Sequence, residues 1–279
     1  MNPILKLLDF HISDKKYENI EDELEDDIQT EDSEPIIKNC DKKRFEIQMF
    51  GLNEQGETFS VFVKNYNPFF YISVDDSWGQ AKKMAFLDFL YEHVGNYFKK
   101  SILSCKLIKK KKLYGFDGNK QHRFLFIEFA NTSVMSKVKN IFYTIGRNKE
   151  RKLSKNGFKF GGSNLYLYEA NIPPLLRCFH IQEISPSGWI ELPKKKVTSP
   201  ERKTTTCDYE YEINVKDIKP LNNKEDIVPY KICSFDIEAS SSHGDFPLPV
   251  KYYKKLAHNI LEIHENMQNI DEILDNAIL

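Results

Sequence analysis

Two carboxylates near the end of the sequence, Asp236 and Glu238, are the residues whose types and spacing point most directly to chemistry. They lie in the stretch KICSFDIEASSSHGDFPLP (231–249), where the apolar residues between and before them predict a β-strand. Side chains two residues apart in a strand project from the same face, so both carboxylates would point the same way. Burying them requires a compensating cation, for which a divalent metal is the obvious choice. The alternative is a strand with one solvated polar face, and the spacing alone leaves both interpretations open.

Paired carboxylates on one rigid strand meet part of what two-metal phosphodiester chemistry needs. In that chemistry, two divalent ions about 3.5–4 Å apart activate the attacking water and stabilise the leaving oxygen. Asp236 and Glu238 would supply two of the ligands, but an Asp-x-Glu pair is a weak motif when taken alone. The surrounding sequence therefore has to decide what the pair does.

Several other kinds of site are absent from the sequence. No Gly-rich loop is followed by the Lys and Ser or Thr of a P-loop, and no Gly-x-Ser-x-Gly turn offers a hydrolase nucleophile. The seven histidines are dispersed, and the five cysteines include no Cys-x-x-Cys pair. This pattern argues against a zinc site and predicts reduced thiols in an intracellular protein. No apolar run is long enough to span a membrane, and no signal peptide is expected at the start.

Charge is distributed unevenly along the chain, although the net charge is only −1. Residues 18–34 contain ten acidic and no basic residues, which predicts a flexible acidic linker. Residues 101–163 contain fifteen Lys or Arg against three acids. Such a basic stretch predicts contact with nucleic acid, and its alternative is an ordinary solvated lysine surface. The candidate nucleic-acid-binding residues are Lys109, Lys110, Lys111, Lys112, Arg123, Arg147, Lys149, Arg151 and Lys152.

The order of predicted elements indicates an α+β fold rather than a repeated β-α-β fold. Alternating apolar residues predict a hairpin and a third strand over 44–74, and helical periodicity predicts helices over 82–100 and 133–146, the second capped by Ser133. The stretch 207–221 alternates strictly and predicts one strand.

The carboxy-terminal stretch predicts a further helix. Its apolar residues are spaced alternately four and three positions apart, which is a heptad pattern. They either pack on their own domain or drive self-association. The residues are Leu256, Ile260, Ile263, Met267, Ile270, Leu274 and Ala277.

Four segments of the sequence together resemble one protein family. FDIE, followed by a Gly-Asp-Phe-Pro turn, resembles the first exonuclease motif of family B DNA polymerases, particularly their delta-like and giant-virus members. IQMFGLNEQGETFSVFVKNYNPFFYI is similar to the opening hairpin of their amino-terminal domain. A third similarity is to the family segment that carries Glu-x-Asn-Ile-Pro, an Arg and a Trp-Ile, and it is found in LYEANIPPLLRCFHIQEISPSGWIEL. The fourth is to the strand that leads into the family's exonuclease domain, and it is found in TTTCDYEYEINVKDIKPL. The resemblance covers about residues 40–250, in order.

This resemblance implies a mixed, β-rich amino-terminal domain followed by the first strand of an RNase H-like 3′–5′ exonuclease domain. The expected boundaries are 1–43 for a first strand and acidic linker, 44–221 for the amino-terminal domain, and 222–279 for the start of the exonuclease domain with its carboxy-terminal helix. Asp236 would bridge two Mg²⁺ ions, and Glu238 would bind one of them and orient the attacking water.

The resemblance also implies partners. The family's second and third exonuclease motifs and its polymerase signatures do not occur in this sequence, so the two-metal site is expected to be incomplete. The expected partners are DNA and the missing carboxy-terminal part of a polymerase, in cis or as a second polypeptide. The alternative function is a free-standing nucleic-acid-binding or regulatory module without catalysis.

Overall fold

The structure is a computed structural model that divides the chain into two compact units, residues 1–230 and 231–279. In the part of the chain that it describes, no helix is long and apolar enough to cross a membrane. The described residues are 2–17, 40–112, 117–145, 150–236 and 258.

The strands and helices with defined bounds belong to the first unit. In chain order they are β1 (Ile4–Lys16), β2 (Lys43–Leu52), β3 (Thr58–Lys64), β4 (Phe69–Val74), α1 (Gln80–Val94), α2 (Asn96–Lys99), β5 (Ile102–Lys111), β6 (Gln121–Phe129), α3 (Thr132–Asn140), β7 (Tyr143–Ile145), β8 (Arg151–Leu153), β9 (Phe158–Phe160), β10 (Ser163–Tyr168), α4 (Pro174–Gln182), β11 (Trp189–Glu191), β12 (Val197–Thr198), β13 (Tyr209–Asn214) and β14 (Lys219–Leu221).

A seven-stranded sheet in the order β12-β13-β3-β2-β1-β11-β14 holds the first core. All its neighbouring strands are antiparallel except β13 and β3, which run parallel. The β2–β3 hairpin turns at Asn53, whose side-chain oxygen accepts the backbone N–H groups of Gln55 and Glu57 at 3.0 and 2.8 Å. Alternate residues of these strands, such as Ile47 and Val61, are fully buried.

A five-stranded sheet in the order β5-β6-β4-β10-β9 holds the second core. The chain order β4-α1-β5-β6-α3-β10 is the split β-α-β arrangement, with β7, β8 and β9 inserted before β10. Helices α1 and α3 cover one face of this sheet, against which Phe86 and Leu90 of α1 and Val134 and Val138 of α3 are buried. The face that points away from these two helices is called the outer face below.

Polar side chains at the start of α3 join the two sheets. Asn131 is fully buried, and its side chain donates to Asp41 Oδ2 at 2.7 Å and to the Lys43 carbonyl at 3.0 Å. The Phe45 N–H of β2 also donates to the Ala130 carbonyl at 2.7 Å. Because buried polar groups must be paired, this network fixes β2 against β6 and α3.

The α+β class and the hairpin over 44–74 are confirmed, whereas several details of the predicted elements differ. Helix α1 ends before Gly95, which adopts φ +82° and is tolerated there because it lacks a Cβ. Within α1, Phe86 is fully buried, whereas Met84 is 48% exposed. The single strand predicted over 207–221 is broken by a 3₁₀ turn at Val215–Asp217.

The cap predicted for α3 is also wrong. Asn131, rather than Ser133, is the cap, because its side-chain oxygen accepts the Val134 N–H at 3.0 Å. Ser133 instead donates its hydroxyl to Asp14 Oδ2 at 3.0 Å. The helix ends at Asn140, earlier than predicted.

Candidate functional site

The two carboxylates predicted as metal ligands fall at the limit of the described chain. Asp236 is described and exposed, whereas Glu238 lies outside the described residues. The predicted strand is not formed over Lys231–Asp236, where Ile232 is 89% and Phe235 81% exposed. A strand needs a neighbour to pair its N–H and C=O groups, and no described strand pairs with this stretch. The strand prediction is therefore wrong for its described part.

Carboxylate oxygens are the ligands that Mg²⁺ prefers, so Asp236 and Glu238 are chemically suited to it. Among the described residues, however, no three His, Cys, Asp or Glu side chains come together in a way that could hold a metal ion. The described part of the chain therefore does not assemble a metal site. No catalytic step through a metal is assigned to it.

The four consecutive lysines predicted to contact nucleic acid are divided between the two faces of β5. This strand forms one edge of the five-stranded sheet, and Lys109 lies directly opposite Arg123 of β6. Because side chains alternate along a strand, Lys109 and Lys111 project from the face that α1 and α3 cover, beyond the end of the core. Lys110 projects from the outer face. The run KKKK therefore does not form one continuous patch.

Two of these lysines lie over aromatic rings of the outer face. Lys110 Nζ is 4.7 Å from the ring centroid of Tyr71 and donates to the Tyr71 hydroxyl at 2.9 Å. Lys112 Nζ is 5.6 Å from the ring centroid of Phe124. An amine over the face of an aromatic ring is held by a cation–π interaction. Lys110 and Lys112 thus combine positive charge with an aromatic surface.

The outer face carries an aromatic group that the sequence analysis did not single out. Its members are Phe69 and Tyr71 of β4, Phe124 and Phe126 of β6, and Tyr166 and Tyr168 of β10. Each pair has the period-two spacing that puts two side chains on one face of a strand. That spacing was visible in the sequence, but the order in which the three strands pair was not. The register places Phe126 and Tyr168 on either side of Tyr71.

Arg123, another predicted nucleic-acid residue, contacts the protein's own backbone. Its guanidinium donates to the Trp78 carbonyl, and its Nε lies 3.8 Å from Asp76 Oδ1. The side chain is partly exposed, at 30%. These contacts give Arg123 a structural role, and its contact with nucleic acid stays a prediction.

The remaining predicted basic residues belong to a different part of the first unit or are not described. Arg151 and Lys152 lie on β8, which pairs with β7 in a separate two-stranded ribbon and is exposed. Lys152 forms an exposed ion pair with Glu150 at 3.0 Å. Arg147 and Lys149 lie outside the described residues. The structure therefore does not bring all nine candidates together.

Glu169, the first residue of the Glu-x-Asn-Ile-Pro motif, and Arg177 form one clamp. Arg177 is 6% exposed and donates to Glu169 Oε2 at 2.8 Å and to the Glu169 carbonyl at 2.7 Å. Its guanidinium lies 4.6 Å from the ring centroid of Phe69. Glu169 adopts φ +55°, a conformation that L side chains rarely adopt, and this turns its carboxylate and carbonyl toward the same guanidinium. The clamp fixes α4 beside the outer face.

Comparison with known proteins shows that this chain is similar to parts of DNA polymerases. Residues 166–263 match the family model described as DNA polymerase family B, exonuclease domain. The DNA polymerase of Phaeocystis pouchetii virus is 50% identical over 82% of this chain, and that of Pyramimonas orientalis virus is 32% identical over 83%. The DNA polymerase delta catalytic subunit of Dictyostelium discoideum is 26% identical over 74%. The aligned parts make up 22%, 18% and 19% of these relatives, respectively, so the chain spans about a fifth of their length.

The class of protein predicted from the sequence is thereby confirmed. The chain is similar to family B DNA polymerases, and the relatives it matches include polymerases of viruses and delta catalytic subunits. The match includes Asp236 and Glu238, although the roles of individual residues are not tested by it.

Proposed function

We propose that this chain is the amino-terminal part of a replicative DNA-directed DNA polymerase with a 3′–5′ proofreading exonuclease. The observation that carries the proposal is the similarity to a viral DNA polymerase over 82% of the chain, and the match of residues 166–263 to the exonuclease family model supports it. The chain would act together with the exonuclease and polymerase remainder, in cis or as a second polypeptide. Its ligand would be DNA.

Within this function, Asp236 and Glu238 would form the first exonuclease motif and hold Mg²⁺ once further carboxylates are supplied. A two-metal site must fix both ions and the attacking water, and misplacement by about 1 Å can cost on the order of 100-fold in rate. The described residues offer no such cluster of ligands. We therefore expect the chain alone to release no nucleotides from DNA.

The experiment is an exonuclease assay on labelled single-stranded DNA with Mg²⁺ or Mn²⁺. The chain is assayed alone and together with the downstream polypeptide of a closely similar polymerase, and Asp236→Ala is the matched control. The proposal expects cleavage only in the mixture and its loss with Asp236→Ala. Cleavage by the chain alone, or by the mixture carrying Asp236→Ala, would contradict the assigned roles.

The second candidate is a nucleic-acid-binding or regulatory module that acts without catalysis. The observation that favours it is the lysine and aromatic outer face, which the first unit forms from its own described residues. Affinity purification from the native source distinguishes the two functions. A polypeptide with polymerase motifs co-purifies under the first proposal and is missing under the second.

A further inference from the structure

We propose that the outer face of the five-stranded sheet binds single-stranded nucleic acid, stacking bases on its aromatic rings while Lys110 and Lys112 contact phosphates. This inference rests on the nucleic-acid contact proposed above and adds the class of ligand and the residues that bind it. Of the four consecutive lysines predicted to bind nucleic acid, it assigns this role only to Lys110 and Lys112.

The rings of the outer face form a continuous aromatic path. Along Phe69, Phe126, Tyr71, Phe124 and Tyr168, successive ring centroids are 4.9, 5.7, 6.1 and 5.1 Å apart. The path crosses three paired strands, β6, β4 and β10. Its rings are unequally covered, since Phe124 is buried, Phe126 is half-buried, and the neighbouring Tyr166 is 45% exposed. Phe126 and Tyr166 are therefore the rings that a ligand reaches first.

The cations of this face are available to an anionic ligand. Lys110 and Lys112 place their amines over Tyr71 and Phe124, and no described carboxylate forms an ion pair with either amine. A cation–π contact at an accessible site is weak, so a phosphate can replace it at little cost. Tyr71 and Phe124 stay buried among their neighbours, so a base on the same strand would stack on the more exposed Phe126 or Tyr166.

The acids near this face are few, and each has a hydrogen-bond donor. Glu128 accepts hydrogen bonds from Asn67 and Ser104 at 3.3 and 3.2 Å, and Glu169 is held by Arg177. Lys106 of β5 projects from the same face, opposite Phe126. Glu128 keeps its negative charge, because both of its donors are neutral, and Asp117 is paired with His122 of β6. Lys106, Lys110 and Lys112 outnumber Glu128, so the net charge of the face is positive and complements a phosphate backbone.

Stacking distinguishes a single strand from a duplex as the ligand. Bases in a duplex are stacked on one another, whereas a single strand can place its bases on aromatic side chains. Four-stranded sheets of the split β-α-β arrangement use aromatic residues of the two central strands in this way in a known class of nucleic-acid-binding module. That parallel is an analogy of fold, and the assignment depends on the rings and lysines named above.

The test uses the alternation of β5 to provide its own control. Lys110→Gln with Lys112→Gln changes the outer face, and Lys109→Gln with Lys111→Gln removes the same charge from the opposite face of the same strand. Binding of a fluorescent oligo(dT) strand and of a labelled hairpin duplex is measured by anisotropy at several salt concentrations. We expect Lys110→Gln with Lys112→Gln to reduce the slope of log K, the binding constant, against log[salt] by about 0.7 for each phosphate that is no longer neutralised. Lys109→Gln with Lys111→Gln should leave this slope unchanged.

The aromatic part of the proposal is tested by Phe126→Leu and, separately, by Tyr166→Leu. Each is expected to lower single-strand affinity about tenfold and to leave both the salt slope and duplex binding unchanged. Tyr166 is exposed enough for its variant to fold even if Phe126→Leu does not, and unfolding curves check both.

The outcomes separate this inference from the proposed polymerase function. Equal effects of the two lysine pairs, or unchanged affinity in Tyr166→Leu, would overturn the stacking surface while leaving general DNA contact in place. Binding of a protein partner on this face without any binding of oligonucleotide would overturn it as well. The exonuclease assay of the chain with its downstream polypeptide reports on the polymerase proposal whatever the outer face binds.

Discussion

Glu46 shows how a buried carboxylate in this protein is kept ionised. Its side chain is 6% exposed, accepts the Tyr17 hydroxyl at 2.6 Å, and lies 3.3 and 3.2 Å from the amines of Lys15 and Lys64. Burial on its own would raise the pKa of Glu46. The Tyr17 hydrogen bond and the two ammonium charges outweigh burial and hold its pKa below the ordinary value of 4.5.

The lowered pKa of Glu46 predicts a loss of stability in acid. A carboxyl whose pKa is lower in the folded state contributes stability that is complete above its unfolded pKa and is lost as the pH falls through the folded value. We expect the free energy of unfolding to decrease as the pH drops below about 4.5. Glu46→Gln should flatten this decrease in urea denaturation curves recorded down to roughly pH 3. A pH profile unchanged by Glu46→Gln would contradict the assignment.

The Arg177–Glu169 clamp predicts an asymmetric cost of substitution. Arg177 is buried and makes two hydrogen bonds, whereas the Glu169 side chain is 40% exposed. Arg177→Ala should cost about 2–3 kcal/mol because it removes packing and leaves the Glu169 carbonyl and carboxylate without their donor. Glu169→Gln should cost only about 1 kcal/mol because the backbone carbonyl of Glu169 remains an acceptor.

Urea denaturation of both Arg177→Ala and Glu169→Gln measures this asymmetry. Arg177→Lys is expected to recover little, since an ammonium cannot reproduce the two-pronged contact of a guanidinium. The exposed pair of Lys152 and Glu150 provides the control, with an expected change within about 0.5 kcal/mol for Lys152→Met. Equal costs at Arg177 and Lys152 would contradict the clamp.

At the scale of elements, the start of α3 is fixed by contacts from distant strands. Asp14 of β1 accepts the N–H groups of Thr132 and Ser133 at 3.0 and 3.2 Å, where a negative charge favours a helix N-terminus. Asn131 caps the same helix and also joins it to Asp41. The helix thus depends on residues about ninety to 120 positions earlier in the chain.

These contacts predict an order of destabilisation. Asn131→Ala should cost about 2–3 kcal/mol, since it removes a cap and takes one donor away from the buried Asp41 carboxylate and from the Lys43 carbonyl. Asp14→Ala should cost about 1 kcal/mol, and Ser133→Ala less than about 0.5 kcal/mol. Denaturant unfolding of the three variants measures the order. A cost for Ser133→Ala equal to that of Asn131→Ala would restore Ser133 as the cap.

Sequence reasoning succeeded where the determinants of an element are local. The β2–β3 hairpin follows from alternating apolar residues around Asn53, whose side chain makes the turn within five residues. It failed at α3, because Asn131 and Ser133 are both good caps and only tertiary contacts choose between them. The sequence analysis took Lys109 to Lys112 as one set, although strand alternation would have divided them between two faces. The aromatic path, in contrast, depends on which strands become neighbours. Pairing order is a long-range property that one sequence does not display.

At the scale of the whole molecule, residues 231–236 are all exposed, unlike the core strands of the first unit. Ile232 and Phe235 are more than four-fifths exposed, although their apolar spacing predicts a strand. Apolar side chains that lie close together along the chain and are exposed indicate a surface to which another segment can bind. Under the proposed function, that covering would come from neighbouring strands of the exonuclease domain.

The cysteines report on this difference. Cys233 is exposed, whereas Cys178 is fully buried and burial raises the pKa of its thiol to about 12. Because the thiolate is the nucleophile, an alkylating reagent should modify Cys233 faster than Cys178 by at least on the order of 100-fold at neutral pH. Mass spectrometry of the partly labelled chain measures both rates, and comparable rates would contradict the described burial.

Labelling of Cys233 also tests whether a second polypeptide completes the exonuclease sheet. A strand paired on both sides buries its side chains and its backbone, so the rate at Cys233 should fall several-fold when the downstream polypeptide is added. Cys207 belongs to the first unit, before β13, and is the internal control whose rate should not change. Phe235→Asp should prevent the protection, because a buried charge at this apolar position opposes docking. An unprotected Cys233 in a mixture that cleaves DNA would show that the segment around Asp236 is not a strand of the assembled exonuclease.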